Sequence, residues 1–223
     1  TWTRNRMFDY GMLESRKFPV ATICIGNISV GGTGKTPHTE YLIEILRDSH
    51  KIAVLSRGYG RKSKGYILSG ETTPMSLIGD EPFQIKRKFN DITVAVCEKR
   101  VTGIERIMSE VDSTEIILLD DAYQHRHVIA GLNILLIDST RPIWQDCMLP
   151  FGRMRESMAG IRRADIGIIT RCDGLTAEQI SWCRNCIKEW KDIPVFFSGM
   201  RYEKPKPLFA KETKEILHGS DIL

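Results

Sequence analysis

Short, unbroken apolar runs recur along the chain: Ala21 to Ile25, Ile52 to Leu55, Ile92 to Val96, Ile116 to Leu119, Ile134 to Ile137, Ile166 to Ile169 and Val195 to Phe197. Runs this short, with no apolar/polar alternation, predict strands covered on both faces. The segments between them change period. Tyr41, Leu42, Ile45 and Leu46 fall at helical spacing, and after Thr176 the residues Ile180, Cys183, Ile187 and Trp190 predict one buried helix face. Thr176 and Gln179 are spaced as a capping box for that second helix. Strand and helix thus alternate through the chain, which predicts an α/β fold: a parallel sheet with helices on both faces.

The first strand run leads into Gly26-Asn-Ile-Ser-Val-Gly-Gly-Thr-Gly-Lys-Thr-Pro37 and then into a helical pattern. Strand, glycine-rich turn, Lys-Thr pair and helix, in that order, make a P-loop and place the sheet in the P-loop NTPase-like class. Gly31, Gly32 and Gly34 let the backbone curl so that its N–H groups, with that of Thr33, point inward at a polyphosphate. The helix after them adds the positive end of its dipole. Lys35 is predicted to reach the β and γ phosphates of a nucleotide, and Thr36 to offer its hydroxyl to Mg²⁺. The motif departs from its usual form at Ser29, where glycine is the rule.

Glu115-Ile-Ile-Leu-Leu-Asp-Asp121 is the second informative stretch: four apolar residues running into two carboxylates, a buried strand that delivers acid to its C-terminal tip. That geometry suits the acidic partner of Mg²⁺ beside a P-loop, because adjacent buried carboxylates repel unless a cation compensates. Asp120 capping a loop is the structural alternative. Gln124, His125, Arg126 and His127 follow as candidate switch or substrate groups. Asp80, in Gly79-Asp-Glu-Pro82, reads on residue chemistry alone as a helix N-cap with proline in the first turn. Glu98, Lys99 and Arg100 follow another strand run, at an end that faces the ligand crevice in parallel sheets.

The chain has 223 residues, enough for a sizeable core, and a formal charge of +4. So modest an excess gives no indication of nucleic acid, although Arg57 to Lys64 and Lys86 to Lys88 are basic clusters. The glycine-rich stretch 56–65 reads either as a phosphate- or sugar-contacting loop or as a mobile surface loop. Six scattered cysteines, several inside apolar runs, suit reduced thiols in a cytosolic protein better than a disulfide framework. Cys183 and Cys186 have the spacing of a metal pair but lack a second pair and sit in a helical pattern. No run reaches the roughly 18 apolar residues of a membrane span. Residues 1–20 form a basic, aromatic-bearing segment that either lies on an anionic membrane surface or packs on the domain as an amphipathic helix. Residues 21–203 carry the P-loop domain. Lys204-Pro-Lys-Pro207 reads as a linker, and 204–223 as the start of a second, smaller domain that continues beyond this sequence. A chain opening at Thr1 likewise leaves room for an upstream segment.

Five stretches together resemble one family. They are the P-loop string, Ser56-Arg-Gly-Tyr-Gly60, Gly79-Asp-Glu-Pro82, Asp120-Asp121 with Gln124-His125, and Leu149-Pro-Phe-Gly-Arg-Met-Arg-Glu156. In this order they are similar to the tetraacyldisaccharide 4'-kinases, the lipid A kinases. The resemblance implies transfer of a phosphoryl group from ATP, with Mg²⁺, to the 4'-hydroxyl of a tetraacylated glucosamine disaccharide 1-phosphate, forming lipid IVA in lipid A biosynthesis. It implies a membrane-associated site at the cytoplasmic face of a Gram-negative inner membrane, with this lipid A precursor and the membrane surface as partners and no protein partner. It assigns the nucleotide loop to Gly31, Gly32, Thr33, Gly34, Lys35 and Thr36, the Mg²⁺ acids to Asp120 and Asp121, and the catalytic aspartate to Asp80. Arg100, Arg155 and Glu156 join Lys35 and Asp80 as candidate catalytic groups. The family's histidine that assists the aspartate belongs to a C-terminal domain, and His218 lies before its position.

The rival reading is a P-loop GTPase or metallochaperone-type regulatory NTPase, for which Thr170-Arg-Cys-Asp173 echoes a guanine-reading motif. Arg171 in place of lysine weakens the echo, and no Asp-x-x-Gly switch follows the acidic strand.

Overall fold

The computed structural model describes residues 2–199; the linker and the start of the second domain predicted over 204–223 lie outside the described residues. An N-terminal helix, α1 (Trp2–Asp9), precedes β1 (Ala21–Gly26), α2 (Lys35–Leu46), β2 (Ile52–Ser56), β3 (Ile67–Leu68), α3 (Met75–Ile78) and α4 (Asp80–Lys88). Then come β4 (Thr93–Val96), α5 (Arg100–Glu110), β5 (Ile116–Asp120) and β6 (Leu132–Asp138). Two short 3₁₀ turns, Ile143–Gln145 and Met158–Arg163, lead to β7 (Ile166–Thr170), α6 (Ala177–Lys188) and β8 (Val195–Phe197).

The strands form one sheet in the order β3-β4-β2-β5-β1-β6-β7-β8. Every pairing is parallel except that of β3 with β4. The α/β expectation therefore holds, with a two-residue antiparallel edge strand that no apolar run announced. Side chains of β2 alternate between faces, as the pleat requires. Ala53 and Leu55 pack with Ile104 and Ile107 of α5 in a core that extends to Cys183 and Ile187 of α6. Val54 and Ile52 pack with Ile43 of α2, Ile85 of α4 and Phe89 just after it on the other face. Helices cover both faces, which is why the strands read as continuous apolar runs.

The capping box at Thr176 and Gln179 is formed from both sides. In α2 the helix is as predicted but its inward face is turned: Thr39 and Ile43 are buried, while Tyr41 and Ile45 are largely exposed. The N-terminal segment packs on the domain through α1, burying Phe8, while Tyr10 and Met12 remain exposed. Of the described residues, no helix is long and apolar enough to cross a membrane.

The register puts Ile25 opposite Asp120, so β1 and β5 end side by side. Gly26 is the residue that lets β1 do so. A Cβ there would lie 2.7 Å from Tyr123 Cβ and 3.1 Å from Tyr123 N, and the second neighbour is backbone. Gly26→Ala in the full-length protein is expected to lower stability by about 1–3 kcal/mol, through overpacking rather than lost contacts; urea unfolding with an unchanged m-value checks it.

Candidate active site

The phosphate loop is shaped by two left-handed glycines, Gly31 at φ 115° and Gly34 at φ 81°, and α2 begins at Lys35 immediately after the second. Ser29 has no positive φ, so the departure from the usual motif costs nothing in backbone strain. The loop is stapled from within by Asn27, whose Nδ2 donates to Thr33 Oγ1 at 2.8 Å; both residues are buried. It is also held from outside by the segment 153–155. Val30 N donates to Arg153 O, and Arg155 N to Ile28 O, each at 2.8 Å.

Asp121 stands at the centre of the charges. Its Oδ1 is 3.7 Å from Lys35 Nζ and 3.1 Å from Arg155 Nη2. Arg155 also donates to Asn27 Oδ1 and to Ser29 O, so one guanidinium ties the loop to the acidic strand tip. Burial pushes the Asp121 carboxyl up, but Lys35 and Arg155 outweigh it and hold the group below the ordinary carboxylate value. Asp120 is the opposite case. Burial, reinforced by Glu81 and Asp121, pushes it up to about 6 against Lys35 and Arg100. The hydroxyls of Thr39 and Ser56 lie 3.5 and 3.3 Å from its carboxylate.

Glu81 belongs to the same cluster. Its carboxyl is raised by burial and by Asp80 and Asp121, relieved in part by Lys35 and by a hydrogen bond to Thr36. Asp121 thus raises the proton affinity of both Asp120 and Glu81, a repulsion that a hard divalent cation beside the Thr36 hydroxyl would relieve, although among the described residues no three His, Cys, Asp or Glu side chains are gathered as a metal site. Asp80 is exposed, and the N-cap reading for it fails. The cap position is Gly79, Asp80 is the first residue of α4, and no side-chain cap bond is made.

The remaining candidates lie behind this surface. Arg100 is 2% exposed and donates from Nη1 to Cys97 O at 2.6 Å and from Nη2 to Asp120 O at 3.0 Å. It joins the ends of β4 and β5, and it also lines a cavity of about 490 Å³ together with Lys99 and His125. Glu156 is equally buried; it accepts from Asn5 Nδ2 at 3.0 Å, Gln124 Nε2 at 3.1 Å and Arg163 Nη2 at 2.7 Å. Asp121 and Arg155 open onto a cavity of about 290 Å³ that is also lined by Arg4, Arg57 and His125. Arg171, in the guanine-motif echo, is engaged elsewhere: it binds Asp138 and Gly32 O at 2.8 and 2.9 Å.

A family model described as Tetraacyldisaccharide-1-P 4'-kinase matches residues 1–220. The chain belongs to this kinase family. It is 47% identical to the tetraacyldisaccharide 4'-kinase of Phocaeicola vulgatus over 229 residues, covering all of this chain and 63% of that protein. It is 50% identical to that of Parabacteroides distasonis, covering 97% of this chain and 60% of that protein. A crystal structure of LpxK from Aquifex aeolicus in complex with ATP superposes with a TM-score of 0.74 at 34% identity, over 87% of this chain and 59% of that one. The chain spans about six tenths of the length of the curated relatives it matches.

The sequence motifs led to Lys35, Thr36, Asp120, Asp121 and Arg155, and the fold brings them together. Glu81 and Asn27 were not singled out, although both stand inside motifs that carried the resemblance. Their signal was adjacency, to Asp80 and to the end of β1.

His125 gives a test of the site's electrostatics. Burial, with Arg100 and Arg57, pushes its imidazole down to about 4. Between that value and the ordinary value of about 6.5 the unfolded chain binds the proton and the folded one does not, so this group's contribution to stability is lost as pH falls. Wild type should therefore lose more stability than His125→Gln between pH 7 and 4.5 in paired denaturant titrations. The opposing contribution of Asp120 is common to both proteins and cancels.

Proposed function

We propose that the full-length protein transfers the γ-phosphoryl group of ATP to the 4'-hydroxyl of a tetraacylated glucosamine disaccharide 1-phosphate, giving lipid IVA, at the cytoplasmic face of a Gram-negative inner membrane. The observation that carries this reading is Asp121 held between Lys35 of the phosphate loop and Arg155, in a chain that matches the kinase family over residues 1–220. Donor and acceptor sides meet at that carboxylate. A relative crystallised with ATP supports the choice of nucleotide.

Phosphoryl transfer asks a protein mainly for positioning and charge neutralisation. The amides of Gly31 to Thr36 and the N-terminus of α2 cradle the polyphosphate, with Lys35 on its distal end. Thr36, Asp120 and Asp121, with Glu81 beside them, would hold Mg²⁺, which when bound supplies neutralisation of charge on the phosphate oxygens. Arg155 places a fixed cation where charge develops on the transferring group. Asp80, exposed at the start of α4, accepts the proton of the attacking hydroxyl. Arg100 and Glu156 act through other groups, the first by fixing the tips of β4 and β5, the second by fixing Gln124 and α1.

The experiment is transfer of labelled phosphate from ATP to the purified disaccharide lipid by the full-length protein; transfer from GTP in preference to ATP would refute the reading. Lys35→Ala should lower kcat by on the order of 10²-fold or more if the lysine contacts the transferring group. Asp80→Ala should abolish turnover while ATP affinity, measured by calorimetry, is retained. Parallel loss of both would reduce Asp80 to a structural residue.

A further inference from the structure

The basic, glycine-rich loop after β2 is seated against the corner of the chain that carries Asp80. Lys62 N donates to Ser76 O at 2.9 Å, and Ser63 Oγ donates to Leu77 O. Two glycines bring the backbones closer still. A Cβ on Gly58 would lie 2.7 Å from Ile78 O, and one on Gly79 would lie 2.7 Å from Tyr59 O. Both glycines have positive φ, 72° and 91°, so no other residue takes either place without strain. Asp80 follows directly, is exposed and makes no cap bond, so its carboxylate goes where this corner of backbone puts it.

Arg61 gives the loop its shape. Its side chain is 3% exposed, and Nη2 donates both to Gly65 O at 2.6 Å and to Glu98 Oε1. Glu98, just beyond β4, closes the ring by accepting from Gly65 N at 3.1 Å through Oε2. The arginine stem also fills the space that Gly58 leaves, for a Cβ there would lie 2.6 Å from Arg61 Cδ. Nε and Nη1 of Arg61 are buried with no acceptor among the described residues. Orphaned donors of that kind cost stability, so what this arginine supplies is fixed geometry.

The loop is tied at its other end to the acidic strand tip. Ser56 Oγ accepts from Gly58 N at 3.4 Å and donates to Asp120 Oδ2 at 3.3 Å. One short loop therefore runs from an acid assigned to Mg²⁺ to the backbone that carries the aspartate assigned to the acceptor hydroxyl. A hydroxyl and a phosphoryl group react only when both are held in register, so the separation of those two carboxylates is a condition of turnover.

We infer that Arg61 is a positioning residue: its bonds to Glu98 and Gly65 close the loop into the shape that sets Asp80 relative to Asp120 and Asp121. It is buried away from the reacting atoms and acts through the contact of Gly58 with Gly79. This rests on the kinase reading above, in which Asp80 takes the proton of the attacking hydroxyl.

The test is kinetics of the full-length protein with Arg61→Met and Arg61→Lys. Arg61→Met keeps an unbranched stem without the charge and should lower kcat about 10²-fold, with KM for ATP unchanged. The stoichiometry of ATP binding, read by calorimetry, should stay that of wild type, because the donor side is intact. Arg61→Lys should recover most of the loss, since one nitrogen makes both bonds and an ammonium has three donors. In an Asp80→Glu background, where the carboxylate is already displaced, Arg61→Met should cost far less than in wild type. An unchanged kcat, a fall in binding stoichiometry that matches the fall in kcat, or an equal loss in both backgrounds overturns the assignment. If Arg61→Met does not fold, Glu98→Gln takes the same measurements. Hydrogen exchange over residues 76–80 reads the clamp without substrate: faster exchange in the variant supports it, and unchanged exchange overturns it. That measurement still stands should wild type phosphorylate no disaccharide, in which case the kinase reading fails separately.

Discussion

The parallel pairing of β1 with β5 is the constraint on which the site depends. With Ile25 opposite Asp120, one strand ends in a glycine turn and its neighbour in two carboxylates, at the same edge of the sheet. Parallel strands carry their C-terminal ends to one side, so groups far apart in sequence meet there without long loops. The cost is electrostatic: Asp120 is buried, and burial raises its pKa to about 6. The structure offsets that cost with Lys35 from the loop side and Arg100 from beneath, and a divalent cation would complete it.

A second layer of polar contacts surrounds this pair. Asn27, Arg155, Gln124 and Glu156 form a connected set that runs from the inside of the phosphate loop to Asn5 on α1. Gln124 Nε2 reaches Asn27 O at 2.6 Å as well as Glu156, so the start of the phosphate loop and the segment ending at Glu156 share one amide. Buried polar groups of this kind are costly singly and stable only when paired, which makes the set cooperative. The N-terminal helix is thereby part of the site's frame and not a passive appendage.

Much of this was legible in the order of residues. Buried strands show as unbroken apolar runs because helices cover both faces, and the P-loop shows because only glycine serves at Gly31 and Gly34, whose φ values are positive. The capping box of α6 is similarly local. Other features left no local trace. The inward face of α2 is set by how the helix lies on the sheet, so Tyr41 and Ile45 point outward despite their apolar character. Asp80 was ambiguous because an aspartate before a proline-bearing helix turn suits a cap, and the cap is instead Gly79 at φ 91°.

The sequence by itself determined the elements, the phosphate cradle and the identity of the acidic strand, since each depends on residues within a few positions of one another. Tertiary structure alone decided which charges meet. Lys35, Glu81, Asp121 and Arg155 come from four separate segments, and the proton affinities of Glu81 and Asp121 follow from distances and burial that no spacing encodes. Arg100 and Glu156 show the same division. As charged residues beside conspicuous motifs they read as candidates for chemistry; the fold buries Arg100 against the carbonyls of Cys97 and Asp120, and Glu156 among Gln124 and Arg163, which no spacing foretold.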